Sequence, residues 1–170
     1  GAAFGASLAL AYTLLPVQVS AFVFGMIAVG LSYFLARKRK NVSTISLILA
    51  GIIVTGIFTA LLTLVQFLSD PFRLQSIVHW TMGNLHNATW AKLKTSIIPV
   101  SLGVLVLFIY SWRMNVLAMG DDEAKTAGLN PDKDKLIILT ATALATSSAV
   151  AVAGIIGLYG LIVPHMIRMM

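Results

Sequence analysis

The side chains able to do chemistry do not form a catalytic set. The three histidines, His79, His86 and His165, are far apart, and the sequence has no His-Glu-x-x-His pair and no Gly-x-x-x-x-Gly-Lys-Ser/Thr phosphate loop. The chain is therefore not expected to hydrolyse ATP itself. A lone histidine is a poor metal site without convergent ligands, and the absence of cysteine excludes disulfides and thiolate ligands. We expect no catalytic residue, no cofactor and no metal site.

The most organised group of charged residues lies at 120–129. Gly120 or Asp121 is expected to begin a short helix, with three consecutive acids where the positive end of the helix dipole stabilises them. Gly128 would supply the left-handed residue that ends this helix. A rigidly capped helix of about two turns suggests docking with a soluble partner. A well-formed connector between two longer elements is the alternative.

The remaining sequence is strongly apolar. Hydrophobic residues make up 58% of the 170 positions and charged residues 11%, whereas a soluble domain carries about 25% charged residues. No Asp, Glu, Lys or Arg occurs in four stretches, 1–36, 41–69, 95–112 and 136–167. Each is long enough to cross a bilayer, which takes about 20 apolar residues. The sequence therefore predicts an all-α fold, a polytopic transmembrane helical bundle.

Turn and capping signals divide these stretches into about five complete spans and a broken sixth. The predicted spans are 1–15, 20–36, 42–68, 96–112 and 136–156. Ser69-Asp70-Pro71 breaks the third span, and a short helix at 72–82 is expected to lie along the outer surface. The fifth span is dense in Ala, Thr and Ser, which let helices approach closely and also line conduits.

The basic residues indicate an orientation. Arg37-Lys38-Arg39-Lys40 lies between two predicted spans and is expected to be cytoplasmic. The interval 113–135 falls on the same face by parity, and the interval 70–94 falls on the other. The net charge of +6 is thus interpreted as a topology signal, with no nucleic-acid partner expected.

Glycines interrupt the end of the fifth span. Gly154, Gly157 and Gly160 precede Pro164, and each interior glycine weakens a helix by about 1 kcal/mol and an interior proline by about 3 kcal/mol. The segment is expected to be broken or re-entrant. Because irregular backbone at membrane depth needs protein or a water-filled cavity for its hydrogen bonds, the break marks a conduit or a tightly packed corner.

Three segments resemble motifs of the FecCD family, the permease subunits of ABC importers for iron-siderophores, haem, cobalamin and related metal chelates. Residues 114–129 resemble its N-x-L-x-L-G-E-x-x-A-x-x-L-G signature, with aspartate at 121 or 122 where the family has glutamate. Residues 154–168 resemble G-x-I-x-F-x-G-L-x-x-P-H-x-x-R, with Tyr159 in place of Phe. His79-Trp80-Thr81-Met82-Gly83 resembles the W-x-x-G element that follows the third span.

This resemblance implies a homodimeric channel in the cell (inner) membrane. Its lipid-embedded spans would rest through cytoplasmic helices on two ATPase subunits, and a substrate-binding protein would deliver solute from outside. The resemblance assigns ATPase coupling, within a cytoplasmic loop at 113–135, to Gly120, Asp121, Asp122, Glu123, Ala124, Lys125, Gly128 and Leu129. The broken segment and the pathway would involve Gly154, Gly157, Gly160, Pro164, His165 and Arg168. His165 is expected to brace this segment.

Family members have about ten spans, so residues 1–170 would be a single permease domain that lacks the first two spans and the last ones. An ion-coupled secondary transporter is the alternative, because Thr and Ser in broken helices can coordinate Na⁺. Against it, the predicted spans contain no acid, and ion coupling usually needs an ionisable residue at membrane depth. A simple channel would account for the small-residue spans but not for the capped helix.

Overall fold

A computed structural model describes residues 1–13, 15–37, 43–83, 89–156 and 159–169. These described residues form helices joined by short connections, with no strand among them. The helices are α1 (Ala2–Tyr12), α2 (Val17–Ala36), α3 (Thr44–Leu68), α4 (Pro71–Thr81), α5 (Trp90–Ile109), α6 (Ser111–Met119), α7 (Asp121–Thr126), α8 (Pro131–Ala153) and α9 (Tyr159–Met169).

Four helices are long and apolar enough to cross a membrane. They are α2, α3, α5 and α8, with 20, 25, 20 and 23 residues, and a helix of 20 residues extends about 30 Å. The predicted all-α polytopic bundle is confirmed. The first predicted span is shorter than expected, because α1 has 11 residues and ends at Thr13, which adopts a left-handed conformation with φ 52°.

The fourth predicted span begins earlier than its charge-free stretch. Helix α5 begins at Trp90, where the Thr89 side chain caps it by accepting a hydrogen bond from the Lys92 backbone N–H. The helix thus includes two lysines that the sequence analysis placed in a polar interval. Pro99 lies inside the helix. Because proline lacks an N–H, the carbonyl one turn before it loses its helical donor.

The predicted break after the third span is confirmed. Helix α3 ends at Leu68, and α4 begins at Pro71 with Asp70 as its cap. The Asp70 carboxylate accepts hydrogen bonds from the backbone N–H groups of Phe72 and Arg73, both at 3.1 Å. These bonds satisfy donors that a helix start otherwise leaves unpaired. The short helix predicted at 72–82 is therefore present as α4.

Helix α8 packs closely against its neighbours through residues with small or absent side chains. A Cβ atom built on Gly25 of α2 would lie 2.6 Å from Ser147 Oγ of α8. A Cβ atom built on Gly103 of α5 would lie 2.7 Å from the Ala141 carbonyl oxygen and 2.9 Å from Ala145 Cβ. The small residues predicted to allow close helix contact in the fifth span therefore do so on two sides of α8.

The outer surface of the bundle is apolar. On α3, Ile45, Ile48 and Ile52 are all more than half exposed, and on α5 so are Ile98 and Phe108. Large contiguous apolar surfaces are rare on soluble monomers, because water does not solvate them favourably. This surface suits hydrocarbon or further apolar helices.

The glycine contacts of α8 generate a matched pair of variants. Gly103→Ala places a methyl group against α8 backbone and is expected to destabilise the bundle by about 1–3 kcal/mol through overpacking. Gly56→Ala is the control, because open space surrounds Gly56 in α3, and alanine improves helix propensity there by about 1 kcal/mol. Thermal unfolding in detergent should show a lower midpoint for Gly103→Ala only. Equal midpoints for the two variants would contradict the close contact of α5 with α8.

Candidate coupling helix and interrupted segment

The short helix α7 has well-defined boundaries at both ends. It begins after Gly120, whose φ of 139° and ψ of 162° are accessible to glycine almost alone. At its end, Gly128 has φ 79°. The backbone N–H of Leu129 donates to the Ala124 carbonyl and that of Gly128 to the Lys125 carbonyl, both at 2.9 Å. These two bonds form a Schellman motif, so the predicted start and left-handed stop are confirmed.

The start of α8 is also capped. The Asn130 side chain accepts a hydrogen bond from the Lys133 backbone N–H at 3.2 Å, and Pro131 occupies the first turn. The span therefore begins five residues before the charge-free stretch at 136. Its first turn carries Asp132 and Asp134, acids that the sequence analysis had assigned to a loop.

The side chains of α7 divide into a buried set and an exposed set. Ala124 is fully buried and Asp121 is half-buried, whereas Asp122, Glu123 and Lys125 are exposed. Lys125 Nζ donates to Asp122 Oδ1 at 3.0 Å, and this hydrogen bond raises the pKa of Lys125 above its ordinary value. Only part of the predicted coupling set is therefore available to a docking partner, since Ala124 is covered by the chain itself.

The exposed Asp122–Lys125 pair contrasts with the ion pair that Asp121 makes to α8. Lys135 Nζ lies 2.6 Å from Asp121 Oδ1 and 2.7 Å from Asp121 Oδ2. The Lys135 side chain is only 10% exposed, so water screens this pair much less than a surface pair. The family resemblance implies a role in ATPase coupling for Asp121, and its carboxylate is paired with Lys135 within the chain.

A second ion pair joins α6 to α8. Arg113 Nη1 donates to Asp134 Oδ1 at 2.7 Å, and the Asp134 side chain is 3% exposed. This hydrogen bond raises the pKa of Arg113. The Arg113 guanidinium also lies 5.0 Å from the ring centroid of Tyr110, at the junction of α5 and α6. Sequence spacing gave no signal for this pair, because its members are 21 residues apart.

The far end of α8 contains the predicted interruption. The helix ends at Ala153, and Gly154 adopts φ 74° and ψ −167°. A Cβ atom on Gly154 would lie 2.5 Å from the Trp80 carbonyl oxygen and 2.8 Å from Gly83 Cα. Conversely, a Cβ atom on Gly83, which has φ 72°, would lie 2.5 Å from the Ile155 carbonyl oxygen. The structure thus brings the W-x-x-G element against the interrupted segment, backbone to backbone.

The second half of the predicted interruption is helical. Gly157 lies outside the described residues, and Gly160 lies in the first turn of α9. Pro164 was expected to extend the break, but α9 runs through it to Met169. Because proline lacks an N–H, the Gly160 carbonyl receives no helical hydrogen bond from Pro164. His165 and Arg168 are exposed on α9.

Two cavities lie near the interrupted end of α8. One, of about 370 Å³, lies between α4 and the end of α8 and is lined by Gln75, Ser76, His79 and Trp80 among others. The other, of about 590 Å³, lies between α2, α5 and α8 and is largely apolar, with Phe22, Pro99 and Ala151 in its lining. Sequence reasoning identified neither, since each draws its lining from distant segments. Within the described residues, no group of three His, Asp or Glu side chains is placed to hold a metal ion.

The close approach at Gly154 predicts a severe effect of a single methyl group. Gly154→Ala would have to adopt a strained backbone conformation and would overlap the Trp80 carbonyl, so a loss of more than about 2 kcal/mol is expected. Gly120→Ala is the control for strain, because φ 139° and ψ 162° are likewise accessible to glycine almost alone, but a Cβ there would meet only the movable end of the Glu123 side chain. Thermal unfolding in detergent should show a markedly larger decrease for Gly154→Ala. Similar decreases would contradict the backbone contact with Gly83.

Apolar spanning helices, a capped short helix at one end of α8 and an interruption at the other are the features of a multi-pass helical protein of the cell membrane. The chain belongs to the FecCD transport family, whose sequence model matches residues 1–170. The resemblance of the three motifs is thereby confirmed.

Curated relatives and a solved structure agree with this assignment. The chain is 35% identical to the molybdate import system permease protein MolB of Haemophilus influenzae, over all of this chain and 51% of MolB. It is 34% identical to the cobalamin import system permease protein BtuC of Halobacterium salinarum, over 99% of this chain and 46% of BtuC. A structure described as an inward-facing conformation of a metal-chelate type ABC transporter matches with a TM-score of 0.90 and 35% identity, over 100% of this chain and 55% of that one. The chain spans about half the length of the curated relatives it matches.

Proposed function

We propose that this chain is part of the permease subunit of an ATP-binding-cassette importer, with ATP hydrolysis carried out by a separate subunit. Family membership over the whole chain supports this assignment, as do relatives named as import permeases. The permease would act as a homodimer and receive its solute from an extracytoplasmic binding protein. The interval 113–135 would face the cytoplasm within a single permease domain.

The observation that carries this proposal is the capped helix α7. Glycines with positive φ mark both of its ends, Lys135 of α8 pairs with its first residue, Asp121, and its exposed side is formed by Asp122, Glu123 and Lys125. A helix held this rigidly can transmit a push without deforming. Exposed ion pairs contribute only about 0–1 kcal/mol each, so docking of the ATPase would depend more on the shape and position of α7 than on a single charge.

The solute would be a metal chelate such as an iron chelate, or a related cofactor or oxyanion. Relatives that import molybdate and cobalamin support this range, as does the metal-chelate type transporter with the same fold. The conduit would run beside the interrupted segment, where irregular backbone needs water or protein as a hydrogen-bond partner. Gly154, Gly157, Gly160, Pro164, His165 and Arg168 are the residues proposed for this region.

Energy coupling follows from the attachment of α7 to the spans. ATP-driven closure of the ATPase subunits would displace α7 as a rigid body. Because α6 and α8 flank α7 in sequence and contact it in space, the displacement would tilt α5 and α8. Spanning helices satisfy their backbone hydrogen bonds internally. They can therefore change tilt as rigid bodies, and such a change would open or close a conduit.

Reconstituted transport tests the proposed function. The full-length permease, its ATPase subunit and its binding protein would be placed in proteoliposomes, and uptake of ferric siderophore, haem, cobalamin and molybdate measured with and without ATP inside the vesicles. ATP-dependent uptake of one of these solutes is expected. Uptake that requires an ion gradient and is the same with and without ATP would instead establish a secondary transporter.

Gly128→Val should uncouple ATP hydrolysis from uptake. Valine in the left-handed region is strained by about 1–2 kcal/mol or more because it is β-branched, so the end of α7 should distort while membrane insertion is preserved. Gly128→Asn is the matched control, since asparagine tolerates this conformation. Solute transported per ATP hydrolysed should fall several-fold in the valine variant and stay near the unmodified value in the asparagine variant. Unchanged transport in the valine variant would remove the coupling assignment from α7.

A further inference from the structure

We propose that Asp134 and Lys135 are positioning residues that fix the angle of α7 relative to α8. This inference rests on the proposed function, because the fixed angle would let the ATPase-driven displacement of α7 move α8 by the same amount. It concerns two adjacent residues in the first turns of α8, outside the acidic helix itself. Each holds a different part of the segment that leads into α7.

Two ion pairs attach α8 to the chain, one near each end of helix α6, and these are called the two attachments. Asp134 binds Arg113, near the start of α6, and Lys135 binds Asp121, the first residue of α7. Adjacent residues on a helix project about 100° apart, so α8 reaches the two segments from two sides of its own surface. Helix α6 and the start of α7 are therefore both tied to α8.

One partner of each ion pair is shielded from water, whereas the other partners, Arg113 and Asp121, are 44% and 40% exposed. The side chains of Asp134 and Lys135 are 3% and 10% exposed, whereas the Asp122–Lys125 pair on the outer side of α7 is 90% and 56% exposed. Salt and water weaken exposed pairs far more than buried ones. The buried partner is also intolerant of displacement, because separating it from its exposed partner leaves a desolvated charge without compensation.

The second carboxylate oxygen of Asp134 makes the attachment to Arg113 especially sensitive to geometry. Asp134 Oδ2 is buried and has no hydrogen-bond partner within the described part of the chain. The charge of this carboxylate is thus compensated through Oδ1, by Arg113 at 2.7 Å. Movement of α6 away from α8 would leave both oxygens unsatisfied, which strongly favours joint movement of the two helices.

Gly120 explains why such attachments are needed. It joins α6 to α7 with φ 139° and ψ 162°, and no side chain caps the start of α7. A glycine hinge by itself permits many angles between the two helices. With Lys135 holding Asp121 immediately after the hinge, one angle is selected.

Substitutions at Lys135 test this role through transport stoichiometry. In the full-length permease assembled with its ATPase and binding protein, Lys135→Gln should lower solute transported per ATP hydrolysed at least threefold. Lys135→Arg keeps the charge and should retain the unmodified ratio. Lys133→Gln makes the same charge change at an exposed position in the same turn, and it should leave the ratio unchanged. An unaltered ratio in Lys135→Gln, in a transporter that still imports solute with ATP, overturns the positioning role and leaves the proposed function intact.

A distance measurement tests the attachment without any transport. The chain contains no cysteine, so nitroxide labels can be introduced at Ala127, at the end of α7, and at Thr142, on the exposed side of α8, in the full-length permease freed of other cysteines. Pulsed electron resonance should give a narrow distance distribution that broadens in Lys135→Gln combined with Arg113→Gln. The Lys133→Gln distribution should stay narrow. Equal widths in all three proteins would overturn the attachment, and broadening in a protein without ATP-driven uptake would support it while the proposed function fails.

Discussion

The structure depends on how closely other backbones can approach α8. Three neighbours reach it where a glycine leaves room: α2 at Gly25, α5 at Gly103 and the turn after α4 at Gly83. In a membrane, water supplies no hydrophobic driving force between helices, so association relies on dispersion contacts that weaken steeply with distance. A helix lined with Ala, Ser and Thr permits contacts with several partners at once, and this makes α8 the organising element of the bundle.

The two ends of α8 make different kinds of contact. At its start, a proline, a capping asparagine and two partly or fully buried charged side chains connect the helix to α6 and α7. At its other end, the helix stops at a glycine whose backbone contacts another backbone. Helix α8 is continuous between its ion-paired start and its interrupted end. It can therefore carry a displacement from one membrane face to the other. The chain belongs to a transport family, and such a connection has a use in the importer proposed above.

The positions of the charged residues also reflect the membrane environment. The spanning helices carry their ionisable residues in end turns, where either water or an ion pair compensates them. Buried pairs contribute little net stability, since desolvation offsets most of their attraction. Their value here lies in specifying one arrangement of α6, α7 and α8, an arrangement that the short and exposed α7 could not maintain by packing.

The sequence by itself determined the features that depend on neighbouring residues. Run length predicted the spanning helices, Ser69-Asp70-Pro71 predicted the break before α4, and Gly128 predicted the end of α7, because capping and backbone conformation act within one or two turns. Charge-free run length misplaced the start of α5, since a polar cap at Thr89 allows lysines into the first turn.

Only the tertiary structure decided which residues meet across the fold. It paired Arg113 with Asp134 and Lys135 with Asp121, buried Ala124, carried α9 through Pro164, and set Gly83 against Gly154. Composition identifies residues that are able to form such contacts, but many pairings satisfy the same composition. The choice among them is made by the register in which whole helices pack, a property of several segments together and of no single stretch of sequence.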